Sequence, residues 1–225
     1  MSLLYDRASA LVREIYDRRI SGPPVLDTAV LFPDAVKFVA AWRDIRDEAQ
    51  FVARDLGKVP RFHEVMPAQE DISAHDAKDW RILILKAYGA PIPRNLAKCP
   101  RLAAIVSSCP DVLSASVSFL APRKHIPPHR GPFRGVIRFQ LGLTVPTDEA
   151  GLPAAILKID GRDYRIGDGD SLLWDDTYMH EVNNRSDQVR TALLLDVRRR
   201  GMPWDLEILS RILIGAVRAS VVLAR

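Results

Sequence analysis

Two histidines and two arginines stand where this chain can bring side chains together. His129 closes a proline-stiffened turn within HIPPHRGPFRGVIRFQLGL (residues 125–143), and His180 closes WDDTYMH just before a strand-like run. Imidazole is a common ligand for iron, copper, nickel and zinc, so two at strand ends can meet on one cation. Their separation of 51 residues is no motif, and two exposed turn histidines would give the same pattern. The arginines point to a second chemistry. A guanidinium on an apolar strand face offers a planar fork that matches a carboxylate. Arg190 shares its face with Ala192 and Leu194, and Arg138 shares one with Gln140 and Gly142. A surface strand would also accommodate Arg138.

Strands must position these groups, and alternation marks where they run. Period-two stretches cover 80–88, 112–120, 135–145, 154–159, 171–174, 181–183 and 190–198. Val136, Arg138, Gln140 and Gly142 face one way, and Ile137, Phe139, Leu141 and Leu143 the other. In VLSASVSFL, Ser114, Ser116 and Ser118 share a face, and Asp196 joins the face of Arg190. The chain before these strands reads as helical. Leu4, Leu11, Val12 and Ile15 lie near helical spacing, and a longer helix follows Pro33 with Phe38, Trp42, Ile45, Phe51, Val52 and Leu56 as its apolar face. Residues 57–79, with Gly57, Pro60 and Pro67, read as a loop. Helices first, then at least seven short strands, predict an α+β, mainly β fold: a β-sandwich or jelly roll with helices packed outside. A length of 225 residues suits one domain. Its expected parts are helical support over 1–79, a β core over 80–200 and a C-terminal helix over 201–225.

Composition narrows the function classes. No stretch of 18 apolar residues appears, and the start, MSLLYDRASALVREIYDRR, has no apolar signal core. The expectation is a cytoplasmic protein. Cys99 and Cys109 flank a short helix, PRLAAIVSS. Ten helical steps span roughly 15 Å, whereas a disulfide needs Cα atoms within about 7 Å, so both read as free thiols. The net charge is +4, and residues 185–225 hold eight arginines against four acids, which accounts for all of it. Such a tail suits an anionic surface or plain solvent. No aromatics interleave its arginines, which argues against nucleic acid.

In order along the chain, HRGPFRGVIRFQLGL, WDDTYMHEVNNRSDQVR and LLLDVRR resemble the aspartyl/asparaginyl β-hydroxylase family. That family's pattern is His-x-Gly-Pro, Arg-x-His-Leu-Gly-Leu, Asp-Asp-(Ser/Thr)-x-x-His-Glu, then an arginine ten residues past the last histidine. The chain matches it at His129, Gly131, Pro132, Arg138, Leu141–Gly142–Leu143, Asp175, Asp176, Thr177, His180, Glu181 and Arg190. The resemblance covers about residues 80–200 and implies a double-stranded β-helix, a cupin-like jelly roll. It implies an iron(II)- and 2-oxoglutarate-dependent dioxygenase, with His129 and His180 as metal ligands and as the catalytic pair. It places Arg190 on the distal carboxylate of 2-oxoglutarate, Ser118 as a hydroxyl donor beside it, and Arg138 on a 2-oxoglutarate or substrate carboxylate. Many non-haem iron oxygenases add a carboxylate ligand; here Gly131 stands at its position, as in the family. One departure is Gln140, where the family has histidine; a glutamine amide still donates a hydrogen bond but carries no charge. Asp175 and Asp176 read as turn-fixing residues that aim His180.

The resemblance leaves two substrate classes, peptidyl Asp or Asn and lipid acyl chains, with dioxygen (O2) and 2-oxoglutarate as co-substrates. The stretches WRILILKAYG and CPRLAAIVSSCPDVLSASVSFLAP resemble the bacterial lipid hydroxylases of the family more closely. In the tail, Arg211, Arg218 and Arg225 recur every seven residues among Ile, Leu, Val and Ala, a basic stripe on a helix. Residues 205–225 thus suit either peripheral contact with the inner face of an anionic membrane or docking on the protein's own sheet. The alternative to an enzyme is a jelly-roll protein that binds a metal or small anion without turnover, and Gln140 is the residue that argues for it.

Overall fold

The computed structural model describes residues 3–223, with side chains from residue 7 onward. Four helices open the chain: α1 (Leu3–Asp17), α2 (Thr28–Leu31), α3 (Ala35–Ala40) and α4 (Trp42–Ala53). Asp27 caps α2 by accepting from the Ala29 and Val30 amides. The single long helix expected after Pro33 breaks at Ala41 into α3 and α4. Phe38, Ile45 and Val52, seven apart, form its buried stripe. Phe51, expected in the core, lies one helical step off that stripe and is exposed, with the Arg54 guanidinium over its ring. In α1 the inward face is Ser9, Val12 and Tyr16, while Leu11 and Ile15 point to solvent. The Leu4 side chain lies outside the described residues.

Residues 57–79 are not the expected loop. Two 3₁₀ turns, Leu56–Lys58 and Pro67–Gln69, alternate with α5 (Phe62–Val65) and α6 (Glu70–Ser73). Each is about one turn long, too short to show a 3.6-residue period. Local capping and burial hold them instead. The Arg61 amide donates to the Glu64 carboxylate at 2.8 Å, and Phe62 stacks on Trp80 with ring centroids 3.7 Å apart.

Ten strands follow: β1 (Trp80–Ala87), β2 (Ala90–Pro91), β3 (Val112–Leu120), β4 (His125–His129), β5 (Val136–Thr144), β6 (Ala155–Ile159), β7 (Arg162–Arg165), β8 (Ser171–Trp174), β9 (His180–Asn184) and β10 (Arg190–Arg198). Helices α7 (Pro93–Leu96) and α8 (Pro100–Ser107) lie between β2 and β3, and α9 (Trp204–Leu223) ends the chain. All pairings are antiparallel, in a six-stranded sheet β2-β1-β3-β10-β5-β8 and a four-stranded sheet β4-β9-β6-β7. One face of the large sheet (Leu83, Leu85, Val117, Phe139, Leu193 and Leu195) packs under α3, α4 and α8. Cys99 and Cys109 are buried there as free thiols, and burial pushes the Cys99 thiol up to about 12. The opposite face carries Ser118, Gln140, Arg138 and Arg190 and closes against the small sheet, as in a jelly roll.

A buried ion pair ties α6 to the barrel. Lys124, fully buried, donates to the Ser73 carbonyl at 2.6 Å and pairs with Asp76. Burial opposes the Asp76 charge, but Lys124 and the Lys78 and His125 amides outweigh it and hold its carboxyl below the usual range. That stability is present above the ordinary carboxylate pKa and is lost as pH falls through the lowered one. Asp76→Ala strands the Lys124 ammonium, so unfolding free energy should fall by about 3–5 kcal/mol in urea titration. A loss under about 1 kcal/mol would show that Ser73 and solvent suffice.

Candidate active site

His129 ends β4, and His180 begins β9 directly opposite it. The strand was hidden because two prolines occupy it; Pro127 and Pro128 are tolerated on an edge strand where the ladder skips between Ile126 and His129. The two imidazole centroids lie 4.1 Å apart, and Trp174 packs edge-on against His180 at 4.5 Å. The Nδ1 atoms sit 2.8 Å from the Pro127 carbonyl and 2.9 Å from the Tyr178 carbonyl. A carbonyl only accepts, so both Nδ1 atoms carry the proton and both Nε2 atoms keep a lone pair, the metal-binding tautomer. Burial lowers the pKa of both rings, that of His180 well below the ordinary value. Neutral donors of this kind fit a divalent iron.

Among the described residues, no set of three or more His, Cys, Asp or Glu side chains is arranged to hold a metal. Gly131 stands two residues after His129, and a Cβ there would lie 2.1 Å from Asp176 Oδ1. The Asp176 carboxylate fills the space a side chain at 131 would need. Its own placement is held by the Asp176 carbonyl, which accepts from the Gly131 amide at 2.7 Å. Burial pushes the Asp176 carboxyl up to about 7, against the pull of Arg138. Asp175 takes the turn-fixing part: it accepts from the Thr177 amide and hydroxyl and pairs with Arg199.

Arg138 opposes Asp196 across β5 and β10. Its Nε and Nη2 both reach Asp196 Oδ1, at 3.1 and 2.8 Å, and Nη2 lies 3.4 Å from Asp176. Burial works against its charge, but the two carboxylates outweigh it and raise its pKa. Asp196 is the partner that site assignment by family pattern overlooked, although its place on the Arg190 face was readable from alternation.

Arg190 is different. It opposes Leu120 on β3, it is 5% exposed, and its Nε has no hydrogen-bond partner. No carboxylate pairs with it among the described residues. Burial alone pulls its pKa down to about 10. Arg190 lines a narrow cavity between the sheets with Gln140, Leu157, Tyr164, Ile166 and Val182. Val182 stands two residues after His180 on β9, so strand alternation aims both at this interior. Ser118 is buried next to Ala192 on the same sheet face, and its Oγ accepts from Trp80 Nε1 at 3.0 Å, leaving its proton free to donate. A buried guanidinium with an orphaned donor matches the charge and hydrogen bonding of a carboxylate, in a cavity that must widen to admit one.

Fold and site define a double-stranded β-helix protein with a facing histidine pair beside a buried cationic pocket. The family model for aspartyl/asparaginyl beta-hydroxylase matches residues 39–200, and the chain belongs to that family. It is 33% identical over 178 residues to the ornithine lipid ester-linked acyl 2-hydroxylase of Rhizobium tropici, covering 79% of this chain and 61% of that protein. It is 26% identical over 141 residues to human aspartate beta-hydroxylase domain-containing protein 2, covering 59% and 37% of the two chains. The chain thus spans less than two thirds of the length of either relative. Among solved structures, a predicted oxalate decarboxylase from Thermotoga maritima aligns with a TM-score of 0.32 at 16% identity, over 39% of this chain and 68% of that one.

Proposed function

We propose that this chain is an iron(II)- and 2-oxoglutarate-dependent dioxygenase that hydroxylates an unactivated C–H bond in a lipid acyl chain. The orphaned guanidinium of Arg190 inside the barrel carries the reading, because an unpaired buried charge costs stability that a bound anion would restore. His129 and His180 would hold the metal through Nε2. Arg190 would take the distal carboxylate of 2-oxoglutarate, with the Ser118 hydroxyl and the Gln140 amide donating nearby. Arg138 keeps Nε and Nη2 on Asp196, which leaves Nη1 for an anionic group of ligand or substrate. When bound, iron and 2-oxoglutarate supply the activation of dioxygen, with succinate and carbon dioxide as co-products. The protein's share is to orient both and to keep water from the interior with Leu157, Ile166, Trp174 and Val182. The likeness to the Rhizobium acyl hydroxylase supports a lipid acyl chain over a peptidyl Asp or Asn.

Anaerobic loading with iron and 2-oxoglutarate, then exposure to air with ornithine lipid or an Asp-containing peptide, tests the proposal. Succinate should form with the lipid, and its acyl chain should gain one oxygen by mass spectrometry. Metal binding without succinate on any substrate would favour the jelly-roll binding protein instead. Gln140, 3% exposed and opposite Leu194, bears on the same choice. Gln140→His should tighten 2-oxoglutarate binding and raise coupled succinate formation at matched iron occupancy, since an imidazole beside a bound carboxylate can take up a proton and an amide cannot. Loss of activity in this variant would show that the pocket is built around the amide.

A further inference from the structure

Helix α9 divides its faces between the protein and its surroundings. Leu206, Ser210 and Ile214 are buried, and Ser210 bonds Tyr16 of α1 at 2.7 Å. They pack on Phe133 and Val136, which flank the end of the loop that starts one residue after His129. The opposite face is apolar and uncovered. Trp204 is 76% exposed, Ile208 50%, Ile212 62% and Val222 53%. At 100° per residue these four fall on one stripe. Arg211 and Arg218 run along one edge of it, both exposed; Arg211 lies 3.8 Å from Glu207 one turn back, an exposed pair that water screens, and Lys86 brings a further positive charge close to Arg218. Arg225, the third arginine of the expected stripe, lies outside the described residues.

We infer that α9 is a membrane-surface helix, whose Trp204–Ile208–Ile212–Val222 stripe enters the interface of an anionic bilayer while Arg211 and Arg218 meet lipid phosphates. Apolar residues beside arginines, with a tryptophan at one end, are the makeup of a helix lying in the interface plane. No helix among the described residues is long and apolar enough to cross a membrane. A second copy of the chain is the competing occupant. An apolar stripe of this kind would suit a helix pair, but in a parallel pair Arg211 would face Ala216 and Arg218 would face Leu223. Neither offers a carboxylate, and the helix's own Glu207 reaches only Arg211 among the described residues, whereas an anionic leaflet offers anionic groups to both arginines. The surface is independent of the catalytic reading, although it would bring the loop after His129 close to the lipid.

The full chain, without iron or 2-oxoglutarate, can be mixed with vesicles of phosphatidylcholine alone or with about one third phosphatidylglycerol. It should sediment with the anionic vesicles and be released by salt, with a blue shift in tryptophan emission. Trp80 and Trp174 are buried and Trp42 half-buried, so Trp204 dominates that shift. Ile208→Asn and Ile212→Asn should each cut partitioning at least about tenfold, and Arg211→Gln and Arg218→Gln about fivefold each. Unchanged melting temperatures would show that the variants fold. Absence of binding, equal binding to both vesicles, or binding unchanged in the isoleucine variants overturns the inference. So does self-association in sedimentation equilibrium that Ile212→Asn abolishes, which would assign the stripe to a second copy. None of these outcomes bears on turnover, which the vesicle experiment does not use.

Discussion

Replacing Arg190 with methionine is expected to stabilise the ligand-free protein and to cost about two to four decades of 2-oxoglutarate affinity. Both effects come from one fact, a guanidinium buried with no anion beside it. A folded pKa of about 10 against an ordinary 12.5 amounts to a penalty of about 3 kcal/mol at neutral pH. For a cation whose folded pKa is depressed, the unfolded chain binds the proton more tightly, so the penalty is fully present below pH 10 and eases above it. Methionine has similar reach and no charge, so it fills the space without the cost. The melting temperature should rise by several degrees in calorimetry. The same change removes one partner of the charge pair proposed with 2-oxoglutarate, a loss of about 3–5 kcal/mol, or two to four decades. Wild-type protein should therefore melt higher when 2-oxoglutarate is added, and the methionine variant should not respond. Affinity unchanged within about threefold would assign the distal carboxylate to another residue.

How far the sequence foretells this arrangement depends on the range of each interaction. Alternation is local, and it marks seven strands, among them the three that carry Ser118, Arg138, Gln140 and Arg190. The three missed strands are sheet edges, where local pattern is weakest: β2 has two residues, β4 has two prolines, and β7 (RDYR) is largely exposed. His129 accordingly read as the end of a turn rather than of a strand. The ion pair between Arg138 and Asp196 spans 58 residues and depends on the register of β5 against β10, which no periodicity encodes. Nor does any motif show that the Asp176 side chain occupies the space beside Gly131, because that contact is made by folding one turn against another. The tail could be read for its basic stripe but not for its division into faces. Burial of Leu206, Ser210 and Ile214 leaves Ile208 and Ile212 outside.

The metal pair yields the other large effect. His180→Ala should lower affinity for iron(II), or for manganese(II) as its stable substitute, by more than about 100-fold. That figure is the upper end of what losing a mere orienting partner costs, and here one of the two histidines proposed as ligands is lost. Tyr178→Phe keeps the backbone carbonyl that fixes His180, so it should leave metal affinity unchanged and serves as the control. Restoring a carboxylate at the position two residues after His129 is not expected to help. Gly131→Asp brings a Cβ within 2.1 Å of Asp176 Oδ1, so the buried Asp176 must leave its place beside Arg138. The single variant should melt lower and bind metal no tighter than wild type. Gly131→Asp combined with Asp176→Ala removes that clash, and the double variant should bind manganese more tightly than the single one in calorimetry. If Gly131→Asp alone tightens metal binding, Asp176 yields its space at little cost, and glycine at 131 is there for the ligand rather than for Asp176.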